Sequence, residues 1–159
     1  MERKEFITHV KAEQEQLRRF LLALCCGNRD EADDIAQESL VKAYLSSDKY
    51  TDTGSFSAWL YKIAYRTFLD HGKRKCQEQS LEQAMDICDN GNRADETFRY
   101  QDLYQALNSL PERERTSLLL FYIKGYSIKE ICHIIDCSED AVKKQLSRGR
   151  DHLKTRMTR

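Results

Sequence analysis

Proline occurs once in 159 residues and glycine six times. Few residues therefore punctuate the chain as strands and tight turns require, and helices are expected throughout. No apolar run approaches the roughly 18 residues of a membrane-spanning helix. The opening Met1-Glu2-Arg3-Lys4-Glu5 carries charge where a secretory signal carries an apolar stretch, so the cytoplasm is the expected compartment. The six cysteines form no CxxC pair: Cys25 and Cys26 adjoin, Cys76 and Cys88 stand alone, and Cys132 and Cys137 are five apart. Cys132, His133 and Cys137 offer three metal-binding side chains without the partner pair of a zinc site. The thiols are thus read as small hydrophobes, with no metal or cofactor expected. A phosphate-cradling glycine loop, a recognisable Ser/His/Asp spacing and paired carboxylates in an apolar pocket are also missing, so catalysis is not expected.

Net charge is lacking too, with 26 Lys+Arg against 26 Asp+Glu. That zero averages unlike segments. Residues 1–75 carry 13 basic and 12 acidic side chains, residues 76–101 carry 2 and 6, and residues 102–159 carry 11 and 8. Residues 141–159 hold seven Lys/Arg against Asp151 alone. A basic C-terminal helix behind an acidic connector points to nucleic acid, with a solvated helix face as the plainer reading.

Phe6, Ile7, Val10, Leu17, Leu21 and Leu24 recur at helical spacing, giving a first helix to about Cys26 that Gly27-Asn28 ends in a left-handed cap. Asp30-Glu31 opens a second helix with Ala32, Ile35, Ala36, Leu40, Ala43 and Tyr44 inward. The polar stretch 46–54 reads as a loop. Ser55 caps a third helix that carries Phe56, Trp59, Leu60, Ile63, Ala64, Tyr65, Phe68 and Leu69 and stops at His71-Gly72. Trp59 falls beside Phe56 and Ile63, so core packing is preferred for it over base stacking. Residues 76–97 have weak periodicity and read as a flexible acidic linker. Phe98, Leu103, Leu107 and Leu110 begin a second helical unit, Pro111 starts its next helix, and Leu118–Ile123 is that helix's buried part. The fold class is all-α: two small helical domains, 1–75 and 98–159, joined by the linker 76–97.

The C-terminal unit reads as a helix-turn-helix. Ser127 and Glu130 form a capping box, a short helix runs over 128–135, and Ser138 caps a long final helix after a turn at Asp136-Cys137. Val142, Leu146, Gly149 and Leu153 make one packing stripe. At 100° per residue, Asp140, Lys143, Lys144, Ser147, Arg148, Asp151 and Lys154 point the other way. Cations and a hydroxyl on a groove-sized helix suit phosphates and guanine edges.

Three segments, in this order, resemble the extracytoplasmic-function (ECF) group of the bacterial sigma-70 family. Gly27-Asn28-Arg29-Asp30-Glu31-Ala32-Asp33-Asp34-Ile35-Ala36-Gln37-Glu38-Ser39 is similar to the family's core-polymerase-binding segment. Phe56-Ser57-Ala58-Trp59-Leu60-Tyr61-Lys62-Ile63-Ala64 resembles its −10 helix, and Leu107–Arg115 with the helix-turn-helix resembles its −35 domain. The short length points to the ECF group. Asp136 stands where the family's turn usually has Gly, and Asp tolerates the left-handed conformation needed there. Lys143-Lys144-Gln145 stand where Arg and Ser are common, so base preference does not carry over.

The resemblance implies a non-catalytic initiation factor with core RNA polymerase and promoter DNA as partners, commonly restrained by an anti-sigma factor. It implies that Asp33, Asp34, Gln37 and Glu38 meet polymerase. It also implies that Lys49, Tyr50, Ser55, Lys62 and Arg66 face the −10 element and its melted strand, and that Glu139, Lys143, Lys144, Ser147 and Arg148 face −35 DNA. A stand-alone helix-turn-helix regulator is the rival reading and leaves residues 1–75 without a role. A helical adaptor is a third, and it would lack salt-dependent DNA affinity.

Overall fold

The computed structural model describes the backbone of residues 2–50, 55–81 and 94–157, and side chains within 2–50, 55–74 and 101–157. The described residues form seven α-helices: α1 Arg3–Leu24, α2 Arg29–Leu45, α3 Phe56–Leu81, α4 Ala94–Asn108, α5 Glu112–Tyr122, α6 Ile128–Ile135 and α7 Glu139–Met157, with a 3-10 turn at Ser47–Lys49. The all-α expectation holds. Of the expected linker, residues 76–81 continue α3 and 94–97 begin α4; residues 82–93 lie outside the described set.

Helix α1 buries Phe6, Leu17, Phe20, Leu21 and Leu24, each large side chain contributing about 1.5–3 kcal/mol. Ile7, expected inward, is 41% exposed. The helix ends in a Schellman motif: Gly27 N–H reaches Leu22 C=O at 2.9 Å and Cys26 N–H reaches Ala23 C=O at 3.0 Å. Cys26 itself takes a left-handed φ of 56° ahead of Gly27 at 90°, so the cap starts one residue before the glycine. A Cβ on Gly27 would also lie 2.8 Å from the Tyr104 ring, which leaves no room for a side chain there. The Asn28 side chain accepts from Glu31 N–H at 3.2 Å and starts α2.

Ser55 Oγ accepts from Ala58 N–H at 3.4 Å at the start of α3. The helix then passes the expected stop at Gly72 and runs to Leu81. Nothing lies within 4 Å of a Cβ at Gly72. An isolated glycine costs a helix only about 1 kcal/mol relative to alanine, which does not end it without a competing turn.

Helices α1, α2 and α3 pack together, as do α5, α6 and α7 with α4. The two sets also pack on one another, α1 against α4 and α5 and α3 against α6, so their buried apolar side chains form one continuous cluster. No sequence pattern foretold this docking.

Candidate nucleic-acid interface

The helix-turn-helix is held by the caps read from sequence. Ser127 Oγ accepts from Glu130 N–H at 3.2 Å and Ser138 Oγ from Ala141 N–H at 3.1 Å. Between them Asp136 is left-handed, φ 61° and ψ 51°, so the turn forms without glycine. Ile131, Ile134 and Ile135 of α6 and Val142, Leu146 and Gly149 of α7 are buried, and Leu153 packs partly buried on the same cluster. Gly149 carries the crossing: a Cβ there would sit 2.7 Å from Leu118 Cδ1. Rotation of α7 is fixed further by Ser117 Oγ, which donates to Gln145 Oε1 at 2.7 Å. Gln145 is thereby turned toward α5. Arg150 is committed sideways as well, its Nε donating to Tyr122 Oη at 2.7 Å with the guanidinium over the Phe121 and Tyr122 rings.

Glu139, Lys143, Lys144, Ser147 and Arg148 are all exposed on α7, the last four pointing away from the buried stripe. Such a face can hold phosphates and reach base edges. Among the described residues, no three or more His, Cys, Asp or Glu side chains group so as to hold a metal ion. Burial pushes the Cys132 thiol up. Cys137 packs partly buried against the core; it also accepts from Arg113 Nη1 at 3.4 Å and lies 3.9 Å from Gln145 Nε2.

On the N-terminal side, Lys49, Ser55 and Arg66 are exposed, and Lys62 and Tyr50 are half-buried. Tyr50 is packed by Trp59 and Phe56, with ring centroids 5.2 and 5.8 Å away. Trp59 in turn lies 5.6 Å from Phe56, so its core-packing reading is supported. Ser55 Oγ already serves the α3 cap. Lys62 and Arg66 lie one turn apart on α3; Lys49 and Ser55 flank residues 51–54, which are outside the described set.

The acidic patch on α2 divides in two. Asp33, Asp34 and Gln37 are exposed, while Glu38 is half-buried and engaged. His71 Nε2 lies 2.5 Å from Glu38 Oε2, and Arg74 Nη2 and Lys42 Nζ lie 3.2 and 3.3 Å from Oε1. The hydrogen bond from His71, with those of Lys42 and Arg74, outweighs the opposing effect of burial and holds the Glu38 carboxyl down at about 2. Glu38 thus ties α2 to α3, while Asp33, Asp34 and Gln37 stand exposed beside it. Tyr122 and Ile123, expected in the core, are exposed. With Leu103, Leu107, Leu153 and Met157 they line an apolar groove of about 510 Å³ between α4, α5 and α7.

Residues 9–76 match the family model for sigma-70 region 2, and residues 100–153 match that for sigma-70 region 4. The chain is 30% identical over 145 residues to the ECF RNA polymerase sigma factor SigW of Bacillus subtilis, covering 82% of this chain and 78% of SigW. The chain belongs to the ECF sigma factors. It is also 25% identical over 144 residues to the ECF RNA polymerase sigma-E factor of Haemophilus influenzae, covering 82% of this chain and 76% of the relative. As a sigma factor it directs core RNA polymerase to specific promoters and helps open DNA for initiation; a stand-alone regulator is not favoured. The fold agrees. The sigma factor RpoE of Bartonella quintana, solved with the anti-sigma factor NepR, superposes with a TM-score of 0.83 at 24% identity over 98% of both chains. CnrH, solved with the cytosolic domain of CnrY, gives 0.76 at 19% identity over 99% of this chain and 90% of CnrH. No helix among the described residues is long and apolar enough to cross a membrane.

Proposed function

We propose that this ECF sigma factor divides its work between residues 1–75 and 98–159. Helix α7 reads the −35 element through Lys143, Lys144, Ser147 and Arg148, with Glu139 in its first turn. Lys62 and Arg66 of α3, with Lys49, Tyr50 and Ser55 around the preceding loop, hold the −10 element. Asp33, Asp34 and Gln37 meet polymerase, and Glu38 supports them by fixing α2 on α3. The protein is itself no enzyme and works in the cytoplasm, where its template lies. An anti-sigma factor is its regulatory partner, as NepR is for the structural neighbour RpoE.

The observation that carries this reading is the fixed presentation of α7. Its buried stripe, the Gly149 contact and the Ser117–Gln145 bond leave the cationic face outward on a capped helix-turn-helix. Run-off transcription from promoter libraries randomised separately at −35 and −10 tests it. Substitutions on α7 should alter the −35 preference alone, and those at Lys62 and Arg66 the −10 response alone. Equal losses at both elements would refute the division.

A further inference from the structure

The turn of the helix-turn-helix carries two thiols that no step of the sigma-factor reading uses. Residues five apart in a continuous α-helix have Cα atoms about 8.7 Å apart, too far for a disulfide. Here the helix does not continue, because Asp136 turns left-handed with φ 61° and folds the chain back over the last turn of α6. The Cys132 C=O accepts from Asp136 N–H and also from Cys137 N–H, the latter at 3.2 Å. A carbonyl oxygen lies about 2.4 Å from its own Cα and an amide nitrogen about 1.5 Å from its own. That bond therefore holds the Cα atoms of Cys132 and Cys137 within about 7 Å. It bends at both the oxygen and the nitrogen, which brings the span inside the roughly 4.4–6.8 Å that disulfides bridge.

The two sulfurs have unlike surroundings. Both residues are half-buried, whereas Cys25 and Cys26 are sealed in the core at 7% and 5% exposure. Cys137 Sγ accepts from Nη1 of the exposed Arg113 at 3.4 Å, which puts a cation beside the sulfur that must carry negative charge to react. Burial pushes the Cys132 thiol up, and the Glu139 carboxylate and the Cys137 sulfur add to it, so Cys132 is the slower of the pair. Intracellular disulfides are chiefly transient and redox-sensing.

We infer that Cys132 and Cys137 form a reversible disulfide across the turn when the protein meets a hydroperoxide, and that this bridge weakens −35 reading. The second part rests on the role proposed for α7. The Cys137 thiolate attacks the O–O bond; an S–O bond forms, hydroxide leaves, and Cys137 is oxidised by two electrons to the sulfenic acid. The Cys132 sulfur then attacks the Cys137 sulfur. The S–O bond breaks and its hydroxide departs with the Cys132 proton as water. A dithiol reverses the bridge by exchange and is itself oxidised. Bridging draws Cys137 Sγ off Arg113 of α5 and away from Gln145 of α7, now 3.9 Å distant. Gln145 also accepts from Ser117 and so sets the rotation of α7. Loss of one such hydrogen bond should lower −35-dependent output about two- to tenfold.

The test treats the full chain with hydrogen peroxide, alkylates the remaining thiols and digests with trypsin. Both cysteines fall in one peptide, residues 130–143, between Lys129 and Lys143. The bridge thus appears as that peptide lighter by two hydrogens and taking no alkyl group. It should form at peroxide levels that leave Cys25 and Cys26, on the peptide 20–29, open to alkylation once unfolded, and dithiothreitol should reverse it. In run-off transcription on a −35 library, with peroxide destroyed before polymerase is added, treated wild type should lose output about two- to tenfold. Cys132→Ser and Cys137→Ser should each give the same output with and without treatment. Circular dichroism checks their folding, and either variant alone decides the comparison. Two thiols that both stay alkylatable, or Cys137 carried only to the sulfinic acid, would overturn the pair. A bridged protein with unchanged −35 selection would overturn its effect. Untreated protein that directs no transcript would refute the proposed function and the effect on −35 reading with it, while the bridge is decided by mass alone.

Discussion

Replacing Lys144 or Arg148 by alanine separates base reading from phosphate holding. Both side chains are exposed on α7, away from Val142, Leu146 and Gly149, and alanine is the strongest helix former. Folding stability should therefore stay within about 0.5 kcal/mol of wild type. A cation that holds only phosphate releases about one counterion, so its loss lowers the salt slope by about 0.9 and weakens every sequence equally. A cation bidentate to guanine contributes about 1–3 kcal/mol of discrimination, a factor of about 5 to 150 between right and wrong base. With Gln145 turned toward Ser117 and Arg150 toward Tyr122, the outward cations are the candidates for base contact. At least one of the two substitutions should flatten preference at a single −35 position, while a pre-melted −10 template remains a good substrate. The assay is transcription from a −35 library at several salt concentrations. If both substitutions lower output by the same factor at every −35 sequence, α7 is a phosphate clamp and the reasoning fails.

Asp34→Lys should weaken core polymerase binding without loss of helix, whereas Glu38→Gln should act mainly on stability; equal binding losses, measured by competition, would put Glu38 in the interface instead. The Glu38 carboxyl is lowered to about 2 from an ordinary 4.5, so its contribution is complete above about pH 4.5 and is lost as pH falls toward 2. The carboxylate is partly solvated, so Glu38→Gln should cost only about 1 kcal/mol at pH 6, and the cost should shrink by pH 3 in urea titrations; a constant difference would contradict the network. Gly149→Val should destabilise the C-terminal half by about 1–3 kcal/mol through overpacking on Leu118 and blunt −35 discrimination together, which thermal melts and library transcription would show.

The features legible from sequence were local ones. Ser55, Ser127 and Ser138 announced helix starts because a cap acts within three residues, and Asp136 could be placed in the turn because its own side chain tolerates a left-handed backbone. The outward face of α7 followed from 100° geometry. Features that depend on distant partners were hidden. The resemblance groups Glu38 with Asp33, Asp34 and Gln37 as a polymerase contact, but its tie to His71 and Arg74 depends on α3 continuing through Gly72 and is invisible locally. Phe20 follows Arg18 and Arg19 in a polar stretch that masks it, yet it is fully buried and packs 5.1 Å from Tyr61. Nothing local marks the contacts of Arg115 and Lys124, since their partners lie about ninety or more residues away in sequence. Hydropathy puts Tyr122 and Ile123 in the core, but the end of α5 leaves them at the groove.

The most direct test of the central claim is run-off transcription reconstituted from this chain and core RNA polymerase on a library of promoter fragments. Polymerase alone should give no defined start, and polymerase with the chain should select fragments sharing one −35 and one −10 sequence at fixed spacing. Tight binding to selected DNA by the chain alone, with no defined transcript on adding polymerase, would contradict the account and return the protein to the stand-alone regulators.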